Sequence, residues 1–173
     1  MDSKVLIREA REGELEAVEA LVKGAYREFR ELVPEEGWAR WMASITLAVS
    51  EGEGLLLVAE VEGAVQGTVQ FFPDASRSRQ GQWPAGAATI RLLAVRPEAR
   101  ARGLGTLLTQ ECLRRARTLK IPTIYLYTGR FMLAAQQIYE KLGFIRAPEY
   151  DPPFQPGPIA YRVDLQMSQS SPR

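Results

Sequence analysis

Two glycines separated by one residue stand in the stretch Arg100-Ala101-Arg102-Gly103-Leu104-Gly105-Thr106, between two apolar runs. A turn that opens a helix aims several backbone N–H groups at one point, where the helix dipole also favours negative charge. Gly103 and Gly105 leave room for a phosphate oxygen to approach the main chain, and Arg100 and Arg102 set cations at the rim. Together these residues describe a cradle for a diphosphate. Other phosphate loops fit less well: a dinucleotide fingerprint needs a third glycine where Leu108 stands, and a P-loop needs Gly-Lys-Ser/Thr, which does not follow Gly103. On its own, Gly-x-Gly fits a ligand-free structural turn equally well.

The remaining reactive groups are few. The chain has no histidine and one cysteine, Cys112. This excludes imidazole bases, Ser-His-Asp triads, His–Cys zinc sites and an internal disulfide, and no metal is implied. Acid–base chemistry falls to carboxylates, lysine, tyrosine, backbone or water. Tyr139 shares a helix face with Ala135, Ile138 and Leu142. That periodicity alone makes it a core residue, although a core tyrosine still places its hydroxyl beside something polar.

Composition frames the possibilities. The 173 residues suit one domain, and 46% hydrophobic against 25% charged residues is ordinary for a soluble fold. A net charge of +1 gives no bulk case for nucleic acid or membrane lipid. The N-terminal residues lack a signal-peptide apolar core and no run is long enough to span a bilayer, so the expected location is cytoplasmic. Residues 1–167 read as one domain, and 168–173 as a flexible polar tail.

The elements that position the turn follow from periodicity. Strands are expected at Val5–Ala10, Leu55–Glu60, Ala64–Phe72, Ala88–Val95, Thr123–Thr128, Phe144–Arg146 and Ile159–Leu165. Helices are expected at Gly13–Phe29, Glu35–Ser50, Leu104–Leu119 and Leu133–Leu142, the last stopped by Gly143. The near-continuous apolar run Ala88–Val95 suits a strand buried on both faces. The third helix carries the stripe Leu104, Leu107, Leu108, Cys112, Ala116 and Leu119, while Arg114, Arg115, Arg117 and Lys120 read as a solvated end matched to its dipole. Pro73–Ala87 and Ala147–Pro158 are loops. The result is a mixed α/β domain in which strand 88–95, helix 104–119 and strand 123–128 have the lengths of a parallel β-α-β crossover.

With those elements in place, Arg100-x-x-Gly103-x-Gly105 after Leu93-Ala94-Val95-x-Pro97 resembles motif A of the GCN5-related N-acetyltransferases. Ala135-x-x-Ile138-Tyr139-Glu140-Lys141-Leu142-Gly143-Phe144 resembles that family's motif B. The resemblance implies a mostly antiparallel sheet flanked by helices around a central acyl-CoA-binding β-α-β unit. It implies transfer of an acetyl group from acetyl-CoA directly to a primary amine of a small molecule or peptide. Leu93, Ala94 and Val95, on a strand splayed from its neighbour, would hold the pantetheine arm. The amides of Arg100, Ala101, Arg102, Gly103, Leu104, Gly105 and Thr106 would bind the pyrophosphate. Tyr139 would be the catalytic acid at the departing sulfur. A backbone amide near Leu93 would polarise the thioester carbonyl. A homodimer through the late strands is a further implication.

Two positions depart from the family's pattern. Met132 stands seven residues before Tyr139, where many relatives carry an asparagine that binds the cofactor arm. A thioether lacks the amide's donors, so apolar or main-chain contacts are expected there. Arg91 stands where some relatives carry a glutamate base, so it is expected to meet an acidic residue or an anionic group on the acceptor. An amine of pKa ~10.4 is neutral about once in 2,500 molecules at pH 7, so a water-relayed carboxylate is expected. Glu35, Glu36, Asp74, Glu149 and Asp151 could line the acceptor side, but none stands out and each reads first as surface charge. Trp83, in the long loop, reads as a lid, and Tyr26, Phe29, Trp38, Trp41, Phe71 and Phe72 read mostly as core. Two rival functions remain: a non-catalytic acyl-CoA sensor, and a nucleic-acid module using Arg100, Arg102, Arg114, Arg115 and Arg117, which the near-neutral charge disfavours.

Overall fold

The computed structural model describes residues 3–154 and 157–165. The tail at 168–173 lies outside them. One seven-stranded sheet runs through the molecule in the order β1 (Val5–Glu9), β2 (Leu55–Val61), β3 (Ala64–Phe72), β4 (Ala88–Val95), β5 (Thr123–Thr128), β7 (Ile159–Asp164), β6 (Ile145–Arg146). Every neighbouring pair is antiparallel except β4 and β5. Four helices complete it: α1 (Leu15–Tyr26), α2 (Glu35–Ser50), α3 (Leu104–Thr118) and α4 (Leu133–Lys141). The order matches the sequence reading and the expected mostly antiparallel architecture. The first helix is shorter than expected because tight 3₁₀ turns at Glu12–Glu14 and Arg27–Leu32 take up its ends. Among the described residues no helix is long and apolar enough to cross a membrane.

Local chemistry explains the corners. Glu62 and Gly63 both have positive φ (52° and 81°), which closes the β2–β3 hairpin in the twist that antiparallel strands favour. Gly143, at φ 94°, ends α4, and the Phe144 N–H donates back to the Tyr139 carbonyl at 3.0 Å. That reversal fixes the end of the helix that carries Tyr139.

Two cores lie on opposite sides of the sheet. One packs Leu57, Phe71, Ile90, Leu126 and Tyr161 against Leu104, Leu108 and Cys112 of α3. The other packs Leu21, Val22, Tyr26 and Ile45 of α1 and α2 against Ala94. Fully burying one such large side chain is worth about 1.5–3 kcal/mol. The apolar stripe of α3 is rotated from expectation. Leu113 is buried, whereas Leu107 and Leu119 are 38% and 55% exposed. The α3 arginines behave as a solvated face: Arg114 and Arg115 pair with Glu111, and Arg115 also with Glu9.

Strand β4 is not the uniform run its sequence suggests. Gln70 faces Arg91 and Thr68 faces Ala94, so Leu92 and Leu93 together oppose Val69. This is a β-bulge, and Leu92 carries it at φ 58°, a conformation that costs a non-glycine residue about 1–2 kcal/mol. The bulge inverts the strand's facing. Ala88 and Ile90 serve the α3 core before it, Leu93 and Val95 serve that core after it, and Leu92 and Ala94 turn to α1. Past the bulge β4 also leaves β5, since their parallel pairing is confined to Ala88–Ile90 with Ile124–Leu126. The two strands therefore splay, as the resemblance implied.

Gly143→Ala should lower unfolding stability by about 1–2 kcal/mol in urea titration, the strain of a left-handed alanine. The added Cβ would meet only Val163 Cγ2, at 3.9 Å, so the cost is backbone. A loss of only a few tenths of a kcal/mol would show that the α4 cap does not depend on glycine.

Candidate active site

The turn before α3 is built for donation. Pro97–Ala99 form a 3₁₀ turn, Arg100 is extended, Ala101 and Gly103 take positive φ (65° and 74°), and Gly103 caps the helix. The Arg100 N–H is already used, donating to the Pro97 carbonyl at 3.3 Å, and the Leu107 N–H donates to the Gly103 carbonyl at 3.0 Å. Between them, the amides of Ala101 to Thr106 find no acceptor among the described residues. Unsatisfied donors converging at a helix start make an anion site. Gly105 has a separate reason to be glycine: a Cβ there would lie 2.8 Å from Ile138 Cδ1, so its absence lets α3 approach α4.

Arg100 does not stand free at the rim as expected. Its Nη1 donates to Glu28 Oε2 at 2.6 Å and its Nη2 to the Ala25 carbonyl at 3.1 Å, stapling the turn to the end of α1. Glu28 takes up its charge. Both arginines are exposed, and among the described residues Arg102 is the one without a carboxylate partner.

A cavity of about 460 Å³ runs from this turn to the β4 bulge. Leu93, Ala94 and Val95 line it along β4, Tyr26 from α1 and Phe29 from the 3₁₀ turn after it, Phe131 and Met132 from the β5–α4 loop, and Ala135 and Ile138 from α4. It occupies the gap where β4 and β5 part. The aromatic rings close one side: Phe131 packs on Phe29 and Trp41, with centroids 5.0 and 6.2 Å away, and Trp41 stacks on Tyr26 at 5.1 Å. The structure thus brings together Leu93–Val95 and Arg100, Ala101 and Gly103–Thr106 on a single cavity wall.

Tyr26 is the residue whose role the sequence concealed. Its hydroxyl donates to the Leu93 carbonyl at 2.9 Å, which ties α1 to the bulge. Burial raises its phenol well above the usual range, with Arg91 opposing. The available signal was only a polar tip at the end of the stripe Val18, Leu21, Val22, Ala25.

Tyr139 lies one helical position behind the cavity wall. It is 4% exposed and packs against Phe144 (5.5 Å) and Tyr161 (6.3 Å). Burial, then the neighbouring Tyr26 phenol and Cys112 thiol, push its phenol up. A phenol so placed is a poorer acid than a free tyrosine, and it does not itself line the cavity.

Met132 uses its thioether locally. Its sulfur accepts from the Gly129 N–H at 3.4 Å and from Thr128 Oγ1 at 3.7 Å. Gln136 completes the loop by donating to the Gly129 and Arg130 carbonyls at 2.9 and 3.2 Å. Trp83 is not a free lid. It packs on Tyr127 (4.6 Å), Tyr125 (5.1 Å) and Tyr150 (5.5 Å), pinning the long loop and the proline-rich segment to one sheet face. Of the candidate carboxylates, Glu35 and Glu36 are exposed at the start of α2, and Glu149 sits on an outlying 3₁₀ turn. Asp74 caps a turn and Asp151 is held by Arg146. None of the five lines the cavity.

Residues 15–144 match the family model described as the Acetyltransferase (GNAT) family. A mycothiol acetyltransferase of Paenarthrobacter aurescens (strain TC1) is 34% identical over 94 residues, which is 54% of this chain and 28% of that one. The chain therefore spans just over a quarter of the curated relative it matches. The N-acetyltransferase PaiA from Thermoplasma acidophilum in complex with coenzyme A superposes with a TM-score of 0.70 at 17% identity, over 94% of this chain and 99% of that one. The ribosomal-protein-S18-alanine N-acetyltransferase from Escherichia coli does so at 0.64 and 18%, over 98% and 99%. At these identities the structures establish a shared fold.

Tyr26→Phe removes the only recorded hydrogen bond of that hydroxyl. It should cost about 1–3 kcal/mol of stability by leaving the Leu93 carbonyl without its donor. Urea denaturation reads this, and an unchanged midpoint would show that water replaces the hydroxyl freely.

Proposed function

The chain belongs to the GNAT acetyltransferase family, and on that premise we propose that it moves an acetyl group from acetyl-CoA directly to a primary amine of a small molecule or peptide. The observation that carries this reading is the run of unpartnered amides from Ala101 to Thr106, opening onto an apolar cavity between two parting strands. The amides suit a pyrophosphate. The cavity, about 460 Å³ and mostly apolar, offers room for an acyl-pantetheine arm along Leu93, Ala94 and Val95. Residues 1–167 then act as a single acyltransferase domain.

In this reading the thioester lies beside the bulge, where a Leu93 amide polarises its carbonyl and Tyr139 donates a hydrogen bond toward the sulfur. The carbon–sulfur bond breaks as the carbon–nitrogen bond forms, and the amine's proton leaves through water. Much of the acceleration comes from holding the two substrates in line. The family resemblance and the site's own chemistry support the donor. The acceptor differs among the similar proteins, whose names cite mycothiol in one and a ribosomal-protein alanine in another, so it must be argued from this chain's residues.

Acetyl-CoA at a hundredfold excess over its dissociation constant should stabilise the protein by about 2.7 kcal/mol, a rise of a few degrees in Tm. Gly103→Glu, which sets bulk and negative charge against the pyrophosphate, should keep its own melting transition and lose the shift. Thermal scans with and without acetyl-CoA decide both, and a wild-type protein that does not shift refutes the donor assignment.

Tyr139→Phe should reduce kcat about a hundredfold while the KM for acetyl-CoA changes little. Steady-state thiol release at saturating acetyl-CoA measures it. Equal kcat values would remove the phenol from the transfer step.

A further inference from the structure

Arg91 is a cation withdrawn from water with almost nothing to hold. It follows β4 up to the bulge and lies partly buried, and among the described residues no carboxylate oxygen comes within salt-bridge distance of it. Its one recorded hydrogen bond runs from Nη1 to the Ser78 carbonyl at 3.3 Å, long for a charged donor that offers five N–H groups. Arg8, Arg115 and Arg146, also shielded from water, each hold a carboxylate at 3.0 Å or less. Glu51, the carboxylate whose charge reaches Arg91, is held by Arg79 at 2.9 Å. A buried guanidinium without a counter-ion is costly and is expected to have one in the working state.

Its position says where that counter-ion comes from. Arg91 precedes Leu92 and Leu93, and its charge acts on the Tyr26 phenol, which lines the cavity and bonds the Leu93 carbonyl. Arg91 therefore adjoins the bulge that borders one end of the cavity, with the diphosphate cradle at the other end. It does not line the cavity itself. Arg91 and Gln70 are cross-strand partners beside that bulge, so a second substrate approaching the thioester along their face of the sheet meets the guanidinium. A second unfinished group stands there. Gln70, opposite Arg91 on β3 and 1% exposed, donates through Nε2 to the Ala48 carbonyl at 2.9 Å, while its Oε1 is buried without a partner. A direct Arg91–Gln70 bond would satisfy both groups, and the structure does not form it.

We propose that Arg91 reads a carboxylate on the acceptor, so that the amine acetylated is an amino acid or a close derivative with a free carboxylate. This rests on the acetyl-transfer reading above. Arg91 then pairs with the carboxylate, the amine is directed toward the thioester at the bulge, and the product is an N-acetyl carboxylate plus free coenzyme A thiol.

The test compares thiol release with L-methionine, L-phenylalanine and L-glutamate against the corresponding carboxamides, with kcat/KM expressed per neutral amine. At least one acid should exceed its carboxamide by about tenfold or more, the scale of a hydrogen bond to a charged group. In Arg91→Gln that ratio should fall toward one, mainly through the acceptor KM, and Arg91→Lys should keep part of it. Both variants should keep the acetyl-CoA melting shift, which also shows that they are folded. A wild-type protein that acetylates acids and carboxamides alike, or only amines without a carboxylate, overturns the inference while leaving the donor reading intact. So does an unchanged ratio in Arg91→Gln. Absence of the melting shift in the wild type instead removes the donor reading and this inference with it.

Discussion

The left-handed backbone at Leu92 is the constraint on which the rest of the molecule depends. One strand has to serve two cores, and a regular β-strand presents alternate residues to opposite faces without exception. Placing two residues against Val69 shifts that alternation by one, so Leu93 and Val95 join the α3 core while Leu92 and Ala94 join the α1 core. The conformational penalty at Leu92 is offset by the packing of its own side chain against α1 and α2. The same irregularity ends the pairing with β5 and opens the cavity, and Tyr26 locks the exposed Leu93 carbonyl from the other side.

Charge is arranged to leave that centre nearly neutral. The cavity wall is apolar apart from the Tyr26 hydroxyl, Thr106, the paired Glu28 and Arg100, and the main chain. Backbone donors gain strength in such surroundings because few competing dipoles or waters screen them. Several arginines outside the site are held by carboxylates, as Arg8 is by Glu14 and Glu60. Arg91 has no such partner among the described residues and holds only the Ser78 carbonyl.

The parts that were legible in the sequence are those fixed by local rules. Gly103 and Gly105 announced the turn, Gly143 announced the stop of α4, and the 3.6-residue stripes placed four helices in the right order. The bulge was not legible, because Ile90-Arg91-Leu92-Leu93-Ala94-Val95 reads as an unbroken apolar strand and leucine carries no signal for positive φ. The Arg100–Glu28 pair was not legible for a different reason: Glu28 lies 72 residues away in the chain, and no local pattern joins them. Leu107 and Leu119 looked like core because heptad spacing is blind to which neighbour a helix meets. α3 rotates instead to bury Leu113. Trp83 looked like a lid because it lies in a loop, yet Gly81 at φ 76° lets the chain fold close enough for the indole to reach Tyr125 and Tyr127.

The short parallel ladder between β4 and β5 has a mechanical meaning. The sheet consists of two ribbons, β1 to β4 and β5 with β7 and β6, zipped together over three residue pairs and then diverging. Each ribbon is continuous within itself, so the molecule is built as two cooperative units sharing a narrow seam bridged by α3 and the aromatic contact of Phe131 with Phe29. A ligand lying in the divergence bonds to one ribbon and packs against elements of the other. Under the proposed function, the donor would be a structural fastener as much as a reactant, and its release would undo part of what holds the two halves together.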